Sequence, residues 1–248
     1  MWHRFLTGAS SYSGSIDHLI FLIAGIVGFW FLIAEGALFW FTIRYLKKEG
    51  KPTSYVTGEG NRLMLWITIP VVLIVLCDIG LNIADTFVWV AIKQDLPPAE
   101  RTVRIIGQQW SWTFQAPGAD GVLDTADDIR TTDDLHVLVD TTYHFEVMSR
   151  DVLHSFAVPA FRIKQDAVPG RTITGWFRAT RTGTYDIQCT QMCGLAHGMM
   201  AGRVIVETPR QHNAWLQQEA AGKGSLAVRE AEPTRSEAAV SQLAEAKP

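Results

Sequence analysis

The chain opens with two long apolar segments and then changes character. Leu19 to Ile43 is a 25-residue run in which Glu35 is the only ionisable side chain, and Leu63 to Ile92 is a second, interrupted by Asp78, Asn82 and Asp85. About 20 apolar residues in a helix cross the hydrocarbon core of a bilayer, so the two runs predict a transmembrane hairpin. Pro70 falls inside the second run, where a neighbouring helix tolerates a kink. From Thr102 the pattern shortens to segments rich in Val, Ile, Thr and aromatics. Strands are predicted at Val103 to Ile106, Ser111 to Gln115, His136 to Val139, Tyr143 to Met148, Ile173 to Arg178, Thr184 to Gln188 and Gly202 to Glu207. Seven strands at this spacing suggest a Greek-key sandwich or barrel. Pro117 to Asp134 reads as a loop, Pro169-Gly170 as a turn, and Gln211 to Ala221 as a short closing helix.

The chain therefore divides into an N-terminal anchor over 1–95, an all-β domain over 96–221, and a tail over 222–248. The tail is rich in Ala, Glu, Ser and Lys and poor in large apolar residues, a composition that predicts disorder.

Hydrophobic residues make up 48% of the chain and charged residues 19%, but their segregation excludes a purely soluble protein. Net charge is -3 with no basic cluster, which removes nucleic acid from the list of partners. Arg44, Lys47, Lys48, Lys51 and Arg62 lie between the apolar runs, against Arg4 before the first. The positive-inside rule then puts that loop in the cytoplasm and both termini, with the β domain, on the outer face. The first run is longer than a signal-peptide core and has no small-residue cleavage site behind it, so it reads as a retained helix. Charged side chains inside membrane helices face protein or water, and Glu35 therefore points to a partner membrane subunit. Asp78 either does the same or snorkels to the outer interface. Asp85 emerges at the surface, because 30 helical residues reach about 45 Å.

Chemistry is concentrated in two places. Of three cysteines, Cys77 lies in the second apolar run, leaving Cys189 and Cys193 as the pair in the β domain. A disulfide over so short a loop adds little stability, and a metal site is the better reading. His154 precedes the pair, which sits in Cys189-Thr-Gln-Met-Cys193-Gly-Leu-Ala-His197-Gly-Met-Met200. Two thiolates, two imidazoles and a thioether select copper, since a thioether is a poor zinc ligand. A closed Cys2His2 zinc site is the alternative, and it leaves Met200 without a role. A single blue-copper centre needs one cysteine; the second permits two coppers to share bridging sulfurs.

Three segments carry a family resemblance: His154-Ser-Phe-Ala-Val-Pro159, Lys164-Gln-Asp-Ala-Val-Pro-Gly-Arg171, and the Cys189 to Met200 loop. Together with the hairpin they resemble subunit II of haem-copper cytochrome c oxidases of the copper-A type. The resemblance implies a membrane-anchored cupredoxin-like Greek-key domain holding a dinuclear copper-A centre. It implies Cys189 and Cys193 as bridging thiolates, His154 and His197 as terminal imidazoles, Met200 as an axial thioether and the Gln191 backbone carbonyl as the last ligand. Most members have Glu at that last position, with a side chain that also reaches magnesium at the border with subunit I. Gln191 keeps the carbonyl and loses the anionic oxygen that magnesium prefers. Asp166 and Arg171 are candidate supports on the side facing subunit I.

Within Gln109-Trp110-Ser111-Trp112-Thr113-Phe114 the resemblance implies Trp110 as the electron entry point from cytochrome c, while Trp112 reads as a core aromatic. Leu63 stands where many members have a Glu at a proton-uptake entrance. The implied function is electron transfer from cytochrome c through copper to haem in subunit I, where oxygen becomes water and protons are pumped. The implied setting is a bacterial inner membrane with lipid, subunit I and subunit III as neighbours. A copper carrier or chaperone and a quinol-oxidase scaffold subunit are the competing readings. Asp120, Asp124, Asp127, Asp128, Asp133 and Asp134, with Arg130 the one positive charge among them, form an acidic stretch that either steers a basic cytochrome c or merely solvates a loop.

Overall fold

The computed structural model describes residues 7–50, 52, 57–58, 60–118 and 120–219. The expected tail over 222–248 and the last residues of the expected closing helix lie outside them. The chain forms two compact units, Met1–Pro98 and Ala99–Pro248.

In the first unit, α1 spans Ser13–Arg44 and α2 spans Asn61–Trp89, followed by a π-helical turn at Val90–Gln94. Both helices are long and apolar enough to cross a membrane. α1 starts before the apolar run, where Ser13 Oγ donates to the Ser10 carbonyl at 2.8 Å. Trp30, Phe31 and Ala34 of α1 and Ile74, Cys77 and Leu81 of α2 line a shared groove that also includes Asp78. Outside it, side chains such as Leu32 and Ile79 are exposed, as the bilayer-facing side of such a helix requires. The polar residues of α2 are partly satisfied within the helix: Asn82 Nδ2 donates to the Asp78 carbonyl at 2.8 Å, and Thr86 Oγ1 to the Asn82 carbonyl at 2.7 Å. Such back-bonding makes a polar side chain tolerable in hydrocarbon.

Among the described residues the second unit contains ten strands where the sequence predicts seven: β1 Arg101–Gln108, β2 Ser111–Ala116, β3 Ile129–Thr132, β4 Asp134–Leu138, β5 Thr142–Ser149, β6 His154–Val158, β7 Ile163–Ala167, β8 Ile173–Arg178, β9 Gly183–Cys189 and β10 Ala201–Glu207. They form two five-stranded sheets, ordered β3-β2-β1-β5-β8 and β4-β10-β9-β6-β7. Pairing is antiparallel except for β1 with β5 and β4 with β10. The three strands the pattern missed have physical reasons for weak signals. β3 and β7 are sheet edges, where polar residues are normal; β3 also overturns the expectation of a continuous loop from Pro117 to Asp134. β6 is buried at every position, so it shows no alternation.

The core lies between the sheets. Trp112 and Phe114 on β2 meet Phe156 on β6 edge-on, with ring centroids 5.5 and 6.3 Å apart. Phe161 packs on Phe177 of β8 at 5.6 Å. Each such aromatic removed from water contributes about 1.5–3 kcal/mol. Because His154 opens β6 beside Phe156, the packing that holds the sheets together also fixes the start of a candidate ligand segment.

A last helix, α3, covers 209–219. It is tied to the sandwich by His212 Nδ1, 2.9 Å from Glu207 Oε2, and by Trp215, which stacks on His136 at 4.2 Å. Burial pushes the His212 imidazole below its usual 6.5, outweighing the pull of the Glu207 carboxylate, and Arg101 and His136 add to the depression. A histidine depressed in the fold is stabilising in its neutral form, so its contribution is full above the unfolded value and is lost as pH falls through the folded value. Amide exchange over 209–219 in the full chain, corrected for intrinsic rates, should therefore be faster at about pH 5.5 than at about pH 7.5. Equal protection at both would contradict this role for His212.

Candidate metal centre

Two stretches of backbone build the site. β6 presents His154 at its first residue, and β9 ends at Cys189, from which a loop runs through Cys193 and a short 3-10 turn at His197–Met199 to Met200 and β10. The Phe156–Cys189 pairing of β6 with β9 brings the two stretches together.

The donor atoms converge. Cys189 Sγ and Cys193 Sγ are 3.8 Å apart. His154 Nδ1 lies 4.0 Å from Cys189 Sγ, and His197 Nδ1 lies 3.5 Å from Cys193 Sγ. Met200 Sδ is 3.9 Å from Cys193 Sγ, and the Gln191 carbonyl oxygen is 3.3 Å from Cys189 Sγ. His154, Cys189 and Cys193 place their ligand atoms within 4.8 Å of one another. All the expected ligand residues thus meet in one place. His154 is wholly buried and Met200 nearly so, while His197 is half-buried.

Burial pushes the Cys193 thiol up to about 11, and the neighbouring Cys189 adds to the rise. A metal that takes these sulfurs must displace their protons, which soft cations do best. The buried thioether of Met200 beside Cys193 gives that residue the place a Cys2His2 zinc site would deny it. The donor set fits copper.

Residues that the sequence did not single out hold the ligands in place. Asp151 Oδ1 accepts the Nε2 proton of His154 at 2.8 Å, which leaves Nδ1 free to face Cys189. The same carboxylate accepts the Gln109 amide at 2.7 Å through Oδ2 and the Val152 amide at 2.6 Å. Burial pushes the Asp151 carboxyl up, but the Gln109, His154 and Val152 hydrogen bonds together outweigh it and hold the group at about 2. Gln109 Nε2 in turn donates to the Cys193 carbonyl at 2.7 Å. Gly107 lets the His154 ring sit against the backbone: a Cβ there would come within 3.1 Å of the ring. Gly194 has φ +125, and a Cβ on it would meet Gln109 Nε2 at 2.9 Å and the Trp110 ring at 3.3 Å. A carboxylate three residues before a ligand histidine was the one signal in the sequence that pointed to this arrangement.

Trp110 is 38% exposed, on the tight turn between β1 and β2, whereas Trp112 is fully buried. Trp110 thus lies between solvent and the ligand loop. Asp166 and Arg171 are exposed; Asp166 stands opposite Ser155 in the β6–β7 ladder, and Arg171 follows the Pro169-Gly170 turn. The acidic stretch is more engaged than its sequence suggests. Arg104 holds Asp124 at 2.6 Å, Arg203 grips both oxygens of Asp134 at 2.8 and 2.7 Å, and Asp133 accepts the Trp112 amide at 2.9 Å.

Comparison with known proteins decides the family. The chain is 35% identical over 231 residues to the alternative cytochrome c oxidase subunit 2 of Bradyrhizobium diazoefficiens, an alignment covering 83% of this chain and 80% of that one. The chain belongs to the cytochrome c oxidase subunit II family. The family described as cytochrome c oxidase subunit II, periplasmic domain, matches residues 101–208. The cytochrome c oxidase subunit 2 of Cereibacter sphaeroides is 30% identical over 213 residues, 74% of this chain and 69% of the relative. Among solved structures, the periplasmic domain of subunit II of cytochrome oxidase from Bradyrhizobium japonicum is similar at 28% identity and TM-score 0.45, over 51% of this chain and 98% of that one. As a subunit II, the chain is a membrane-anchored, cupredoxin-like, copper-binding component of a haem-copper terminal oxidase.

Removing the Asp151 charge should loosen the site without dismantling it. Asp151→Asn is expected to weaken copper binding by about 10- to 100-fold, as loss of a partner behind a ligand imidazole does. Competition with a Cu(I) chelator measures the effect, and unchanged affinity would show that His154 holds its orientation unaided.

Proposed function

We propose that this subunit II holds two coppers between Cys189 and Cys193 and receives electrons from cytochrome c at Trp110 for delivery to haem in subunit I. The observation that carries the reading is the convergence of four further donors around two sulfurs 3.8 Å apart. When bound, a copper pair supplies a one-electron couple spread over two metals and two sulfurs.

This chain's residues do the rest. Cys189 and Cys193 would hold the pair as thiolates, His154 and His197 as imidazoles, Met200 as a thioether and Gln191 through its backbone carbonyl. The near-complete burial of His154, Cys189, Cys193 and Met200 keeps water from the ligands and limits reorganisation when charge changes. Asp151 fixes the His154 ring and, through the Gln109 amide, the turn that carries Trp110. Trp110 offers the docked donor an aromatic surface beside the ligand loop. Oxygen reduction to water and the proton pumping coupled to it belong to subunit I, against which α1 and α2 pack, with subunit III as a further neighbour. The β domain and both termini face the periplasm of a bacterial inner membrane, with Arg44, Lys47 and Lys48 on the cytoplasmic side. Magnesium is no part of the proposal, because Gln191 offers an amide in place of a carboxylate. A carrier role is disfavoured by the burial of His154, Cys189, Cys193 and Met200, and a quinol-oxidase scaffold by a complete donor set.

The full chain, matured with ample copper, should contain two coppers and, singly oxidised, one unpaired electron shared between them in its paramagnetic-resonance spectrum. Cys189→Ser or Cys193→Ser should abolish that spectrum, Cys77→Ser should leave it unchanged, and Gln191→Ala should retain both coppers. One copper per chain, or tightly held zinc, would refute the proposal. Trp110→Ala should slow electron transfer within the docked cytochrome c complex at every salt concentration while leaving the spectrum intact. An unchanged rate would move the entry point elsewhere.

A further inference from the structure

The ligand loop carries two sulfurs that the copper pair does not use. Met192 is 73% exposed and Met199 is 82% exposed, whereas Met200 is 2% exposed and Cys193 4%. Each exposed thioether is the chain neighbour of a buried sulfur: Met192 of Cys193, and Met199 of Met200. Consecutive Cα atoms are about 3.8 Å apart, so on each side an exposed sulfur-bearing residue and a buried one are joined by a single peptide unit. Leu195, 98% exposed between them, shows that apolar cover alone does not require sulfur at this surface.

Metal entry is the problem this arrangement addresses. His154 has no solvent exposure, and the two thiols have 9% and 4%. A hydrated ion would have to shed its water before meeting any of them. Exposed thioethers bind Cu(I) weakly, exchange it readily, and have little affinity for zinc or other harder divalent cations.

We propose that Met192 and Met199 form an acquisition site for Cu(I), receiving the ion from a donor with thiolate or thioether ligands and passing it inward by ligand exchange to Cys193 and Met200. The inference rests on the copper reading above and adds its route of loading. Met192 and Met199 each give up the ion as the inner sulfur takes it. For two ions, the thiols of Cys189 and Cys193 release two protons to solvent, and no electron is exchanged because both coppers enter as Cu(I). The same two residues act as a filter, since a hard or borderline cation gains nothing from the outer thioethers.

The test follows loading of the copper-free full chain in detergent micelles, with Cu(I) supplied as its bicinchoninate complex and uptake read by loss of the complex's absorbance. Met192→Leu with Met199→Leu should slow uptake by about tenfold, with two coppers bound at the end point as in the unaltered chain. Equal rates in the two proteins, with two coppers bound in each, would overturn the acquisition role and leave the copper pair standing. An unaltered chain that takes up no copper would overturn both. An independent readout uses the unaltered, copper-loaded and reduced chain with labelled methionine methyls: added Ag(I), a redox-inert analogue of Cu(I), should shift the Met192 and Met199 signals and leave Met64 and Met148 in place. Stationary Met192 and Met199 signals would also overturn the proposal.

Discussion

His154, Cys189 and Cys193 are drawn almost entirely out of water, with the two thiols 3.8 Å apart. Burying the two thiols without strong hydrogen bonds costs about 1–3 kcal/mol each, and the rise of the Cys193 thiol to about 11 expresses the same penalty on its charged form. The domain accepts that cost at one end of its sandwich, and a soft metal bound by both sulfurs repays it. The rest of the architecture follows from keeping these donors close and dry. Phe156, two residues beyond His154, locks β6 into the core against Trp112 and Phe114, while β9 delivers Cys189 into the same ladder.

Asp151 extends this constraint outwards. Its carboxylate binds the back of the His154 ring and the amide of Gln109, whose side chain reaches the Cys193 carbonyl. One acidic group therefore ties a buried ligand on one sheet to an exposed tryptophan turn on the other and to the ligand loop between them. Gly194 completes the junction, because any side chain there would displace Gln109 or Trp110. Trp110 sits where it does by hydrogen bonding as well as by packing. The exposed Trp110 turn and the donor loop are thus positioned by the same few contacts.

The parts legible in the sequence are those whose signal is local. The apolar runs showed in their length, and most of the candidate donors showed because Cys189 through Met200 occupy one loop, with His154 apart on β6. The strands with alternating burial, such as β2 and β5, stood out for the same reason. What escaped was either unpatterned or distant. β3 and β7 carry the polar residues of sheet edges, and β6 is buried on both faces. The bonds from Gln109 to Asp151 and to Cys193 span 42 and 84 positions. Likewise Arg104 and Arg203 reach Asp124 and Asp134 from 20 and 69 positions away, so an acidic stretch that reads as unbalanced is partly neutralised by the fold.

The central claim is that the two sulfurs bracket a pair of coppers, and copper K-edge X-ray absorption of the full-length chain tests it most directly. The account predicts a copper neighbour around each absorbing copper, in addition to sulfur and imidazole nitrogen. A spectrum fitted by sulfur and nitrogen alone, from one isolated copper per chain, would contradict it.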